Sequence, residues 1–434
     1  MIKCFEKGVG YVKKYLAWDE CSPGEIEITG ISDNYFSFDI PPIVEIPAKI
    51  EGKLVTKIGN SAFHSKGIKK IFLPETIRKI GRGAFANNDL REVNIPNSVR
   101  EIGAEAFIIN DLKEVKIPKN VIRIGTGAFG LNKLKKVEVD KGNKEYKDFK
   151  NLSVYQKDGE NRLVIGTESG YIRKSTKVIG RNAFWGIFLK EVKIPKSVKV
   201  IEEGAFLASG LKRITFNEGL EKIGLKAFLE NELKEVNLPE TLEGIGREAF
   251  SSNFIREITI PPRVEVVEEG CFSFNNIEIV KFNDRVRTLG NQSFYGNVIR
   301  KITIPKNVQE VGIQTFTENR IEEINFENKD IELGPNSFSR NNITFVELPI
   351  KLGKGYNDFL GYTTPFDNNP IKQVYIKADM SESLRNVLGK QLFDLTIFLK
   401  KEASLLEEDN DLKVYRVNKE EFENITKAKE IFDD

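Results

Sequence analysis

The chain has 434 residues, of which 40% are hydrophobic and 30% are charged, an ordinary balance for a globular protein. Its 66 basic and 64 acidic side chains leave a formal net charge of +2. Because no long basic run accompanies this near-neutral total, binding to nucleic acid is not expected. No apolar run approaches the roughly 18 residues of a membrane-spanning helix, and the first residues lack the apolar stretch of a signal peptide.

The N-terminal residues 1–40 predict a β cap. Two strands, Tyr11–Ala17 and Glu25–Ile31, flank the turn-forming pair Pro23-Gly24. The open end of a stack of strands exposes unpaired backbone and apolar core, so it needs such a cap.

A phenylalanine then returns every 22 residues, which indicates a solenoid whose coils bury their apolar sides against one another. The copy at 95–116 reads I-P-x-x-V-x-x-I-G-x-x-A-F-x-x-N-x-L-x-x-V-x. Alternating Val115 and Ile117 predict a short strand that ends at Pro118. The repeat phenylalanines are Phe63, Phe85, Phe107, Phe129, Phe184, Phe206, Phe228, Phe250, Phe272, Phe294, Phe316 and Phe338.

Three further positions recur around each phenylalanine. Asparagine, three residues after it in most copies, is predicted to be buried and to hydrogen-bond backbone groups at the bend. Glycine, four residues before it, predicts either a bend with positive φ or a close approach of the next coil. Glu202 and Glu268 replace this glycine, so positive φ is not strictly required. Cys271 replaces the preceding alanine and is expected to be a small buried side chain.

This pattern resembles the bacterial leucine-rich repeats of the BspA-like class, also called the Treponema type, whose consensus is L-x-x-L-x-L-P-x-x-L-x-x-I-G-x-x-A-F. The resemblance covers about residues 40–376. It implies a mostly-β leucine-rich-repeat solenoid over residues 41–376, with about 13 coils of 22 residues and a parallel sheet of short strands. It also implies a protein that is secreted or attached to the bacterial surface, where many relatives are thought to act in adhesion or partner binding.

The repeat is interrupted at about 140–172, where the sequence predicts a β-hairpin insertion. Leu152–Gln156 and Arg162–Ile165 flank the turn pair Asp158-Gly159. A second insertion of six residues lies around Gly353–Tyr356. Insertions in solenoids map to loops, often near a binding face; the alternative is a hairpin that only pads one edge.

Residues 377–434 predict an α+β cap at the C-terminal end. Leu395–Leu399 and Leu412–Val417 read as strands. A helix is expected to begin at Asn418, because Glu421 three residues later gives the spacing of a capping box.

Residue types that catalyse reactions or bind metals are scarce. His64 is the one histidine and is expected at the surface or in a bend. The sequence has no Cys/His cluster and no nucleophile motif, so we expect no enzyme activity, no metal and no cofactor. Cys4 and Cys21 either pair near the N-terminus or remain two free thiols, and both readings stay open.

The outward side of the strands is the candidate partner-binding face, because one outward residue lies between the two inward residues of each strand. Phe72, Phe345 and Tyr375 are the best candidate anchors, since aromatic residues dominate binding energy at interfaces. The alternative is that the terminal caps cover them. The candidate residues are Phe72, Asn94, Lys116, Lys193, Thr215, Asn237, Thr259, Lys281, Thr303, Asn325, Phe345 and Tyr375, and the same row includes Glu138 and Glu347.

Two functions fit these features. The first is a partner-binding or adhesive module whose ligand is a protein or a polysaccharide, because an extended shallow surface suits macromolecules better than small molecules. The second is a structural spacer with no ligand on its repeat face. Exposed aromatic residues would favour binding, and a uniformly polar face would favour the spacer. Family resemblance favours the cell surface, whereas the missing signal peptide leaves a cytoplasmic location open.

Overall fold

A computed structural model describes residues 16–31, 41–328, 331–348, 364–376, 395–400, 413–418 and 420–421. The chain divides into two compact units, Met1–Gly219 and Leu220–Asp434, and each is described by itself. Both units are built almost entirely from short parallel strands in successive coils, which confirms the mostly-β solenoid predicted from the 22-residue period.

A regular coil contributes two strands. One has three or four residues that point alternately inward and outward, and the other has two residues just before the recurring glycine or its replacement. In the first unit the strands are β1 (Leu16–Ser22), β2 (Glu25–Ile31), β3 (Ile43–Glu45), β4 (Lys49–Ile50), β5 (Lys53–Ile58), β6 (Lys70–Phe72), β7 (Lys79–Ile80), β8 (Glu101–Ile102), β9 (Glu114–Ile117), β10 (Arg123–Ile124), β11 (Lys136–Val139), β12 (Tyr146–Phe149), β13 (Ser153–Gln156), β14 (Leu163–Gly166), β15 (Val178–Ile179), β16 (Glu191–Lys193), β17 (Val200–Ile201) and β18 (Arg213–Thr215).

The second unit continues the same alternation of longer and two-residue strands. Its strands are β19 (Lys222–Ile223), β20 (Gly244–Ile245), β21 (Glu257–Thr259), β22 (Val266–Val267), β23 (Ile279–Lys281), β24 (Thr288–Leu289), β25 (Lys301–Ile304), β26 (Glu310–Val311), β27 (Glu323–Phe326), β28 (Glu332–Leu333), β29 (Phe345–Leu348), β30 (Gln373–Ile376), β31 (Thr396–Lys400) and β32 (Lys413–Val417).

The longer strands pair in parallel and in register, one repeat apart. Val115 of β9 lies opposite Val137 of β11 in the first unit, and Ile302 of β25 lies opposite Ile324 of β27 in the second. The two-residue strands form their own parallel ladders, such as β7-β8-β10 and β22-β24-β26-β28. This second ladder was not predicted, because two residues are too few to give a period-2 pattern in the sequence.

The core is a column of stacked phenylalanine rings in each unit. In the first unit the Phe63 and Phe85 ring centroids lie 5.4 Å apart with planes inclined by 4°, and Phe184 and Phe206 stack at 5.0 Å. In the second unit the stack runs from Phe228 onward with spacings of 5.1–5.7 Å. The strand pairing sets one coil per ~4.8 Å, so one ring per coil fills the core without gaps.

The buried asparagines satisfy the backbone, as predicted. In the first unit, the Asn110 Nδ2 donates to the Phe85 carbonyl of the preceding coil at 2.9 Å and to the carbonyl of its own Phe107 at 3.1 Å. The Asn110 Oδ1 accepts the Leu90 N–H at 3.0 Å. Ser209 stands at this position in one copy, and its hydroxyl still donates to the Phe184 carbonyl at 2.7 Å. The asparagine ladder therefore joins each coil to the one before it.

The recurring glycine allows close approach of the coils rather than a left-handed bend. A Cβ on Gly125 would lie 2.1 Å from the Ala104 backbone nitrogen, and φ at Gly125 is not positive. Within the repeat, left-handed residues recur two positions before and two positions after the phenylalanine, with φ between 51° and 65°. The latter are Ser65, Asn87, Ile109, Leu131, Gly186 and Ala208 in the first unit, and Glu230, Ser252, Phe274, Gly296, Glu318, Arg340 and Asn368 in the second.

The N-terminal hairpin pairs β1 with β2 in antiparallel fashion, and β2 then pairs in parallel with β5. Strand β2 matches its prediction. The predicted bounds of the first strand were wrong: it runs to Ser22 instead of ending at Ala17, because the turn takes only Pro23 and Gly24. Residues 1–15 lie outside the described part of the chain, so the cap over residues 1–40 stays a proposal.

The insertion contains the predicted hairpin and one more strand. β13 and β14 pair in antiparallel fashion with Val154 opposite Ile165, and β12 adds to the other side of β13. The Tyr146 hydroxyl accepts the Ile124 N–H at 3.0 Å, and Leu163 pairs in parallel with Ile179. The third strand was missed because its sequence, Tyr-Lys-Asp-Phe, is polar in its middle. The insertion thus continues the ladder of two-residue strands.

At the other end, β29, β30, β31 and β32 form one parallel sheet, so the two strands predicted as part of a cap extend the ladder of longer strands. The predicted capping box is present: the Glu421 N–H donates to the Asn418 Oδ1 at 2.8 Å, and the Asn418 N–H donates to the Glu421 carboxylate at 2.7 Å. The second insertion around Gly353–Tyr356 and most of residues 377–434 lie outside the described residues, so the C-terminal cap stays a proposal.

Candidate partner-binding face

The predicted binding face is formed mainly by the longer strands, in which inward and outward side chains alternate. In β9 the side chains of Val115 and Ile117 are buried, while Glu114 and Lys116 are exposed. Ten of the twelve candidate residues are exposed. They are Phe72, Asn94, Lys116, Lys193 and Thr215 in the first unit and Asn237, Thr259, Lys281, Thr303 and Asn325 in the second. Glu138 and Glu347, from the same row, are half-buried.

Ion pairs between neighbouring coils cover part of this face. The Lys70 Nζ lies 2.6 Å from a Glu92 carboxylate oxygen, and the Lys301 Nζ lies 2.6 Å from Glu323. The hydrogen bond and the charge of Glu323 raise the pKa of Lys301 above its ordinary value. Since water screens exposed ion pairs, each pair contributes little to stability. Together the pairs neutralise much of the charge on the outward face of the strands.

Phe72 is an exposed aromatic side chain at the end of β6. It is 43% exposed, and the Lys70 Nζ lies 5.2 Å from its ring centroid, a cation–π contact. In the register with β3, Glu45 lies opposite Phe72, and the exposed Ile43 lies opposite Lys70. The expectation that Phe72 points outward is therefore confirmed.

Tyr375 does not lie on the exposed face, so its prediction as an exposed anchor was wrong. The structure supports the alternative reading, in which a segment predicted as part of the C-terminal cap covers it. Tyr375 is only 3% exposed and packs in a cluster with Phe398 and Val417, with the half-buried Phe345 against them. The physical reason is that β31 extends the sheet beside β30 and brings Phe398 opposite Tyr375. Tyr415, on the next strand, is 52% exposed and was missed because its strand was assigned to a cap.

A column of cations borders this face in the first unit and was also missed. The position six residues after the repeat phenylalanine is basic in Lys69, Arg91, Lys113, Lys135, Lys190 and Lys212, and all six are exposed. In the second unit the same position is Lys234, Arg256, Glu278, Arg300, Glu322 and Thr344, so its sign is mixed. Aligning the coils on their phenylalanines shows this column, whereas the total charge of the chain conceals it.

Groups that could perform chemistry are isolated. His64 is exposed in the turn that follows Phe63, as predicted. Cys271 is fully buried, and desolvation raises the pKa of its thiol well above the ordinary value. The Cys21 Sγ lies 3.5 Å from the Glu25 carbonyl oxygen. Cys4 is outside the described residues, so both readings of Cys4 and Cys21, a pair or two free thiols, stay open. Within the described ranges no three His, Cys, Asp or Glu side chains come together as metal ligands.

A depression in the second unit is lined by charged and amide side chains, without the apolar wall that small-molecule sites require. The lining residues are Glu265, Asp284, Arg285, Arg287, Asn307 and Gln309. This depression therefore lacks the features of a small-molecule site.

Comparison with known proteins agrees with this geometry. The family model described as BspA type Leucine rich repeat region matches residues 29–153, 167–278 and 243–364. These matches cover most of the chain, which therefore belongs to the BspA-type leucine-rich-repeat family. Such proteins are general scaffolds for protein interaction or adhesion and are typically not enzymes.

Three solved structures are similar to this chain, and the first of them supports the fold. A protein from Eubacterium ventriosum ATCC 27560 is 20% identical over 82% of this chain and 97% of its own, with a TM-score of 0.52. A protein from Bacteroides ovatus ATCC 8483 is 18% identical over 93% and 98% of the two chains, with a TM-score of 0.43. The pneumococcal vaccine antigen PcpA is 17% identical over 93% and 97%, with a TM-score of 0.44.

No curated protein matches the chain. Among the described residues, no helix is long and apolar enough to cross a membrane.

Proposed function

We propose that this chain is a partner-binding or adhesive module that uses the outward face of its longer strands to bind a protein or a polysaccharide. The observation that carries the proposal is the exposure of ten candidate residues at one position of the repeat, eight of which lie in the longer strands. Strand pairing fixes the backbone of those eight, so a partner can bind them with little loss of conformational entropy in this chain.

Phe72 is the main anchor on this face. An outward phenylalanine that is 43% exposed adds nothing to the core, yet its ring can be desolvated by a partner. Lys70 beside it adds a charge, so the pair suits a ligand that offers an apolar group next to an anionic one. Tyr415 is a second exposed aromatic residue, in the other unit, whereas Tyr375 is no longer a candidate.

The test is capture of ligands from arrays of extracellular proteins and glycans by the full chain, compared with Phe72→Ser. The matched control is Phe188→Ser, since Phe188 is 62% exposed but lies in the segment before β16, outside the row of candidate residues. We expect at least tenfold weaker capture for Phe72→Ser, the effect of losing an aromatic anchor, and unchanged capture for the control.

A chain that captures nothing would support the spacer instead, and equal capture by both variants would remove Phe72 from the site. We also propose, from the family, that the protein acts at the cell surface or outside the cell. Detection in the extracellular or surface-protease-sensitive fraction of the native bacterium checks this location.

A further inference from the structure

The near-neutral total charge hides a separation of charge between the two units. Met1–Gly219 contains 38 basic and 27 acidic side chains, a net charge of +11. Leu220–Asp434 contains 28 basic and 37 acidic side chains, a net charge of −9. The first unit is therefore a strongly basic surface, which favours an anionic partner.

The cationic column, defined here as Lys69, Arg91, Lys113 and Lys135, is the most regular part of this basic surface. Its members stand at one register position of four consecutive coils: the Asp111 N–H donates to the Leu90 carbonyl at 2.9 Å, and the Lys135 N–H donates to the Lys113 carbonyl at 2.8 Å. Successive coils lie about 4.8 Å apart. The four cations thus recur once per coil along the border of the strand face.

No described ion pair holds the cations of the column, although one carboxylate lies near them. The hydrogen bond and charge of Lys133 lower the pKa of Asp111, and the charges of Arg91 and Lys113 contribute to this shift. In the part of the chain that the structure describes, none of the four side chains has a carboxylate oxygen within ion-pair distance. The next position along each coil behaves differently, since Lys70 pairs with Glu92 and Lys136 pairs with Glu114. A row of like charges repels itself and adds nothing to folding, so its regularity points to a ligand.

We propose that the cationic column binds an anionic polysaccharide, a chain that carries sulfate or carboxylate groups along its length. This inference rests on the proposed function and narrows its ligand. Anions spaced along a linear polymer can contact successive coils, and multiple weak contacts on one chain add up to stable binding. Lysine suits this use because its ammonium group is a point charge that tolerates many anion geometries.

The composition around the cationic column favours a polysaccharide over a nucleic acid. Sites for single-stranded nucleic acid combine cations with aromatic side chains on which the bases stack. The segments that hold the column, 67–70, 89–92, 111–114 and 133–136, contain no aromatic residue. The exposed Phe72 follows the first segment, so one ring stands beside four cations rather than one ring beside each. Reading the sequence of a duplex requires contacts to base edges in a groove, whereas a column of exposed cations offers contacts to phosphates.

The experiment measures binding of the full chain to immobilised heparin and to hyaluronan, which separate sulfate from carboxylate as the anion. The test variant carries Lys69→Gln, Arg91→Gln, Lys113→Gln and Lys135→Gln. The control variant removes the same charge from exposed cations elsewhere in the first unit. It carries Arg100→Gln, Lys119→Gln, Lys174→Gln and Lys177→Gln.

We expect the test variant to bind at least one of the two polysaccharides about 30-fold more weakly, the effect of losing four exposed ion contacts. We expect the control variant to stay within about threefold of the parent, with unchanged thermal melting for both. The salt dependence of the dissociation constant should also be shallower in the test variant than in the control, because fewer counterions are released.

Three results would overturn the proposal: no binding of the parent to either polysaccharide, equal losses in both variants, or tighter binding of single-stranded DNA than of either polysaccharide. If one of these results overturns the proposal for the cationic column while Phe72→Ser still weakens ligand capture, the proposed function stands with another ligand. If capture of every protein and glycan also fails, the proposed function is wrong as well.

Discussion

Replacing Asn253 with alanine tests whether the asparagine ladder holds the coils together. The Asn253 Nδ2 donates to the Phe228 carbonyl at 2.9 Å and to the carbonyls of Phe250 and Ser251 at 3.2 Å. Its Oδ1 accepts the Leu233 N–H at 3.1 Å. The side chain is 3% exposed, so water cannot replace these partners without a rearrangement of the coil.

The expected cost follows from the groups that lose a partner. Alanine leaves the Leu233 N–H without its acceptor and the Phe228 carbonyl without its donor from the next coil. An unsatisfied buried donor or acceptor costs about 1–3 kcal/mol. The other two carbonyls share the same amide, so their loss adds less. We therefore expect Asn253→Ala to lower the free energy of unfolding by about 1–3 kcal/mol.

Urea unfolding followed by far-ultraviolet circular dichroism measures this change through the midpoint. The matched control is Asn237→Ala, the same chemical change at an exposed position of the strand face in the same unit. It should change stability by no more than about 0.5 kcal/mol. If Asn253→Ala leaves the midpoint unchanged, or if both variants lose the same stability, the amide does not satisfy the backbone as described.

Three other outcomes follow. Gly246→Ala should destabilise the chain by about 1–3 kcal/mol in the same urea assay, because the new Cβ would lie 2.5 Å from the Leu225 backbone nitrogen. The control Gly244→Ala should be nearly neutral, because its new Cβ would have no other atom within 4 Å. Tyr375→Ser should cost about 3 kcal/mol as a buried aromatic truncation, and a midpoint equal to the parent's would contradict its burial. Cys271 should resist maleimide labelling until urea unfolds the chain, since burial raises the pKa of its thiol. Labelling of Cys271 itself in the folded state, located by peptide mass spectrometry, would refute this.

The repeating part of the fold could be predicted from the sequence because every coil makes the same packing contacts with its neighbour. The stack of Phe63, Phe85 and Phe107 needs one ring per coil. Asn110 and Asn253 each bond the equivalent phenylalanine carbonyl of the preceding coil. Phenylalanine and asparagine therefore recur at a fixed spacing. An outward residue such as Phe72 follows from alternation with its buried neighbours. These features are local to one coil and its neighbour.

The remaining features depend on which segment packs beside which, and the sequence does not state this. Tyr375 has the outward register of its row, yet it is buried because β31 extends the sheet beside it. The left-handed positions were missed because residues as different as Ile109, Phe274 and Arg340 occupy them. Such residues rarely adopt positive φ, so no glycine or asparagine pattern indicates the turn.

Some positions outside the core follow a pattern that packing does not explain. Outward positions of the strand face vary freely, from Phe72 to Asn94 to Lys116, because no neighbour constrains them. The cationic column is equally exposed, yet it keeps one sign of charge through four coils against its own electrostatic repulsion. A position that neither packs nor pairs gains no stability from such regularity. The same position in the second unit has mixed sign, so the solenoid does not require a cation there. A ligand that binds along the first unit accounts for both facts.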